Sequence, residues 1–77
     1  MPASPPRFTV GQQFRRIGRV HAPLETVTDI WMTYNTAGEL VRVRYVAEHR
    51  SAIGQTVTDC DVLETTIARG AVPPIFA

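Results

Sequence analysis

The chain has 77 residues, a formal net charge of +1 and a hydrophobic fraction of 44%. That length allows one small domain with a modest core, because a domain of about 60 residues buries only roughly 60% of its unfolded surface; self-association is a common remedy. The apolar content excludes wholesale disorder. Eight basic residues against seven acidic ones exclude a polycation that would hold nucleic acid by bulk charge alone.

Cys60 is the only cysteine, which rules out an intramolecular disulfide and argues against a structural zinc site. No stretch has the apolar core of a secretory signal, and no window approaches the ~20 apolar residues of a membrane helix, so a cytoplasmic protein without a membrane role is expected. All eight basic residues are arginine. A GC-rich genome explains this composition, as does a need for forked contacts to carboxylates, phosphates or guanine edges.

In chain order, residues 1–7 carry three prolines and no apolar periodicity, and read as a disordered leader. Phe8 begins the ordered part, with a turn at Gly11 leading into a strand over 12–17 and a loop over 18–23 that Pro23 closes. Residues 24–34 are dense in β-branched and aromatic side chains and form the strongest expected strand. Asn35-Thr36-Ala37-Gly38 has the residues of a hairpin turn, since Asn and Gly tolerate positive φ. The returning strand, 39–46, alternates cleanly, with Val41, Val43 and Tyr45 on one face and Arg42 and Arg44 on the other. A polar loop over 48–54, a strand over 55–60, one helical turn at 61–64 and a closing strand over 65–69 complete the domain. Residues 71–77 form a proline-broken tail whose Ile75 and Phe76 would dock on the domain, meet a partner or hang free.

The fold class expected is therefore all-β: a five-stranded small barrel over 8–70 with one helical turn before the last strand. Turn signals every 8–12 residues and the Val10-Gly11 turn resemble the SH3-like barrels, a group that includes KOW and Tudor modules and the type II dihydrofolate reductases. The run Gly11-Gln12-Gln13-Phe14-Arg15-Arg16-Ile17-Gly18 is similar to the opening of those reductases, as is an aromatic strand bearing Trp31 and Tyr34. Their active site requires a Val-Gln-Ile-Tyr run on a late strand, where this chain has Val57-Thr58-Asp59-Cys60. The resemblance implies a fold and transfers no catalytic residue.

No constellation in the sequence carries chemistry convincingly. Asp59 and Asp61 flank Cys60 and would oppose thiolate formation, so Cys60 is expected as a buried structural residue. His21 and His49, both expected in loops, show no metal-ligand spacing, and neither a metal nor a cofactor is expected. The candidate site is instead a binding surface of arginine and aromatic residues: Arg15, Arg16, Arg19, Trp31, Tyr34, Arg42 and Arg44. Two bland alternatives stand beside it. Arg42 and Arg44 would serve as cross-strand pairs with Glu25, Thr28 or Asp29, worth roughly 0.2–1 kcal/mol each. Trp31 would fill the core of a domain short of large side chains.

The leading functional reading is a non-enzymatic protein-binding module, an adaptor or inhibitor using this face and its edge strands. By analogy alone, such short chains suit a phage or mobile element. The rival is nucleic-acid binding, with the arginines on phosphates and Trp31 or Tyr34 stacked on bases. A third reading is a reductase-like enzyme whose site is pooled by a homo-oligomer.

Overall fold

The cleanest alternation in the sequence becomes the longest antiparallel pair in the molecule. The computed structural model describes residues 3–73, and its central hairpin joins two long strands, labelled below as β2 and β3. In chain order the elements are β1 (Gln13–Phe14), β2 (Glu25–Tyr34), β3 (Leu40–Arg50), β4 (Thr56–Val62), α1 (Glu64–Gly70) and β5 (Ala71–Val72). They form one antiparallel sheet of order β4-β3-β2-β1-β5. The sheet curls: Arg16, just after β1, reaches Asp59 on β4 at 2.8 Å although two strands separate them. This is a small, all-β, barrel-like fold with a single short helix, as expected.

The hairpin turn is built from Asn35, whose side-chain oxygen accepts the N–H groups of Ala37 and Glu39 at 3.0 Å each. Gly38 sits at φ 82°, a conformation that a Cβ would strain. Within the hairpin, Val27 pairs with Ala47 and Asp29 with Val46, so Thr28 is an extra residue, a β-bulge. The bulge changes which side chains face inward. Before it, Glu25 and Val27 are buried; after it, Ile30 takes the inward position and packs on the core.

Phe8, Phe14, Val27, Tyr45, Ala47, Val62 and Ile67 make up the core cluster. Each large apolar side chain buried here contributes about 1.5–3 kcal/mol relative to leaving it in water. The Tyr45 ring packs edge-on against Phe8 at 6.1 Å between centroids. Its hydroxyl donates to Glu64 Oε2 at 2.8 Å and accepts the N–H groups of Arg7 and Phe8. Burial pushes this phenol above its ordinary pKa, and the Glu64 carboxylate adds to the shift.

Several elements differ from the sequence reading. The first strand is two residues long rather than six, and the Arg15 N–H just beyond it donates to the Gly70 carbonyl at 2.9 Å, on the β5 side. β3 continues through Glu48 and His49 to Arg50, where a loop was expected, and β4 continues to Val62. The helix lies at Glu64–Gly70 rather than 61–64, and the stretch expected as the closing strand is helical. The closing strand is Ala71–Val72, paired with β1, in the stretch read as tail. In the stretch read as a disordered leader, the Ala3 N–H donates to the Leu40 carbonyl at 2.7 Å. Ile75 and Phe76 lie outside the described residues.

Candidate binding surface

β2 and β3, with 10 and 11 residues, outrun their neighbours. β4 pairs with β3 only from Tyr45 to Arg50, and β1 meets β2 only at Glu25 and Thr26. The distal half of the hairpin therefore projects beyond the sheet, and most of the candidate residues sit on it.

Its outer face carries Trp31 directly opposite Arg44, and Thr33 opposite Arg42. The Arg44 guanidinium lies 5.5 Å from the centre of the indole ring, a cation–π contact. Asp29, two residues before Trp31 on the same face, accepts the indole N–H at 2.9 Å and the Ile30 N–H at 2.8 Å. The indole is thus held in place yet remains 43% exposed, so Trp31 is a surface residue and the core placement is corrected. Arg42 lies 3.6 Å from Asp61 of β4. The Arg44 Nε is buried and has no acceptor among the described residues.

Tyr34 falls on the opposite face. There its hydroxyl contacts the Met32 sulfur at 3.8 Å, and the two side chains are 56% and 46% exposed. They prolong the inward face of Ile30 past the end of the core, and both stay exposed among the described residues. Met32 belongs to this surface and went unnamed in the sequence reading; its signal was the Ile30-x-Met32-x-Tyr34 alternation. The projecting arm thus carries an exposed aromatic side chain on each face, Trp31 on the outer and Tyr34 on the inner.

The remaining arginines do not join this surface. Arg16 turns inward and binds Glu25, its Nε and Nη2 donating to the two carboxylate oxygens at 2.8 and 3.3 Å, while Nη2 also reaches Asp59. Glu25 is only 2% exposed, so Arg16 serves to neutralise a buried carboxylate. The bond to Glu25 raises the pKa of Arg16 above its ordinary value. Asp59 is held below the usual carboxylate range, first by the Asp61 backbone N–H and then by Arg16. His49 Nδ1 stands 3.7 Å from Glu25. Arg15 donates to the Ala22 carbonyl at 3.0 Å, and Arg19 is exposed in the 18–23 loop.

Two further expectations change. Cys60 is exposed on β4 rather than buried, and His49 lies on a strand rather than in a loop. A polar cleft of about 540 Å³ opens between Pro23–Leu24 and Thr26, Glu48, Arg50 and Thr56, at the end of the hairpin away from its tip. Among the described residues no group of three or more His, Cys, Asp or Glu side chains is placed to hold a metal ion, and no helix is long and apolar enough to cross a membrane. No protein-family model matches the chain, and no curated protein or solved structure is significantly similar to it.

Proposed function

We propose that this chain is a small protein-binding module of SH3-like type, an adaptor or inhibitor whose contact surface is the projecting tip of the β2–β3 hairpin. The observation that carries the reading is the exposure of Trp31, Met32 and Tyr34 on an arm beyond the core. Tryptophan, tyrosine and arginine are the residue types richest in interface hot spots, and a held indole loses little freedom on binding.

Charge favours a protein over a nucleic acid as the partner. Arg16 is neutralised by Glu25 and Asp59, and Arg42 stands beside Asp61. Asp29 shares the outer face with Trp31. Phosphate binding draws on uncompensated positive charge, and here acidic side chains are interleaved with the basic ones.

The test is affinity capture from the native lysate with and without nuclease, using the tagged wild-type chain, Trp31→Ala and Ile53→Ala. Ile53 is 79% exposed at the far end of β3 and serves as the control. One protein should be retained at near-stoichiometric yield by the wild type and by Ile53→Ala. Trp31→Ala should weaken it about thirtyfold, as a hot-spot loss of roughly 2 kcal/mol implies. Captured material that vanishes with nuclease would shift the reading to nucleic acid, and capture indifferent to Trp31→Ala would remove the hairpin tip as the contact.

A further inference from the structure

β4 leaves the sheet at Val62, opposite Tyr45, and the chain turns into α1. Residues Leu40–Arg44 of β3 thus pair with β2 on one side and, among the described residues, have no strand on the other. About half of the backbone groups in such a stretch point to the unpaired side, and edge groups of this kind template the addition of another strand.

The N-terminal segment lies at this edge but pairs with it poorly. Ala3 donates to the Leu40 carbonyl at 2.7 Å, the single backbone bond from the described residues of this segment to β3. Pro5 and Pro6 have no N–H to give. Arg7, the next donor, turns aside to the Tyr45 hydroxyl at 3.1 Å and the Glu64 carboxylate at 3.2 Å. A segment that covers an edge with one ladder bond blocks it without satisfying it.

We propose that the edge at Leu40–Arg44 accepts an extended segment of the partner protein as an added strand, and that residues 3–7 are a displaceable strap over it. The proposal rests on the protein-binding reading and specifies its mode. It also specifies the side-chain chemistry. An added strand alternates its side chains between the two faces of the sheet. On the outer face they meet Arg42, exposed and only loosely engaged by Asp61 at 3.6 Å, so that an incoming carboxylate would compete with Asp61, and Arg44, whose buried Nε lacks an acceptor among the described residues. On the inner face they meet Val43, beside an exposed Val41 that sits at a second register shift between β2 and β3. The fitting segment therefore alternates carboxylates with β-branched apolar residues.

The test uses the full-length ¹⁵N-labelled chain and two capped hexapeptides at millimolar concentration, one alternating Glu and Val and the other alternating Lys and Val. The Glu/Val peptide should shift the amides of residues 40–44 and slow their exchange with solvent, while the Lys/Val peptide should not. Ala3→Pro removes the strap's donor and should tighten binding roughly fivefold, the equivalent of one net hydrogen bond. The double variant Arg42→Glu/Arg44→Glu should reverse the preference, and the same spectra report whether each variant is folded. Amides 40–44 left unshifted by both peptides would overturn strand addition, as would protection confined to β4; an affinity unchanged by Ala3→Pro would overturn the strap. Capture that depends on Trp31 while the edge amides stay unprotected would overturn this inference alone and leave the protein-binding reading standing.

Discussion

Arg16→Met isolates the one side chain that lets this small core tolerate a buried carboxylate. The substitution keeps most of the aliphatic volume and removes the charge facing Glu25, leaving only His49 at 3.7 Å. Taking one partner from a buried ion pair costs about 3–5 kcal/mol, because the other charge stays desolvated and uncompensated. The Arg16 side chain is 26% exposed, so water can enter where it stood, and about 3 kcal/mol is the appropriate end of that range. Across 77 residues, at roughly 0.05–0.15 kcal/mol per residue, total stability is about 4–12 kcal/mol. The loss would then lower the midpoint of thermal unfolding by about 12–24 °C in a domain of this size. Urea titration followed by circular dichroism at pH 7 measures it, and the double variant Arg16→Met/Glu25→Met should recover most of the loss. A cost below about 1 kcal/mol, or a double variant no more stable than the single one, would refute the claim that Arg16 works by neutralising Glu25.

A Cβ at Gly70 would collide with the carbonyl oxygen of Arg15. Gly70→Ala should therefore part β1 from the end of α1 and cost about 2 kcal/mol in a urea titration; a change within about 0.5 kcal/mol would show that the contact yields freely. The pKa of Asp59 is depressed in the folded state, so its contribution is present above the ordinary value near 3.8 and is lost as pH falls through the lower folded value. Wild-type stability should thus decline below about pH 4, and Asp59→Asn should flatten that decline; identical acid limbs for the two proteins would contradict the assignment.

The hairpin was legible because two signals agreed there. Alternation fixed the wet and dry faces of residues 42–45, a register shift at Val41 breaking the pattern before them, and Asn35 and Gly38 supplied the turn. Other elements were not legible, for particular reasons. Carrying the inward parity of Val27 forward places Trp31 in the core, and the bulge at Thr28 reverses that parity. Thr65-Thr66-Ile67 has strand-like propensity, yet the segment is helical because Ile67 and Ala68 pack on the core as a helix, a tertiary gain that outweighs a weak local preference. Leu63 gives this helix no side-chain cap, so the usual start signal was missing. Arg16 belonged to an Arg-Arg pair that read as surface. Only the buried position of Glu25, which depends on strand register, shows that one of the two turns inward.

The Arg16 bridge also bears on the order in which the chain folds. Arg16 and Asp59 are 43 residues apart, and they meet across strands that are not neighbours in the sheet. The β2–β3 hairpin can close through a short turn, but the bridge needs β1, β2, β3 and β4 already assembled and curled. A contact that needs this much prior assembly is expected to form late, after the folding transition state. Its free energy falls on the unfolding side of the barrier, where it lengthens the lifetime of the native state and leaves the rate of folding little changed. In a domain with so small a core, the tie that closes the sheet acts chiefly as a brake on its opening.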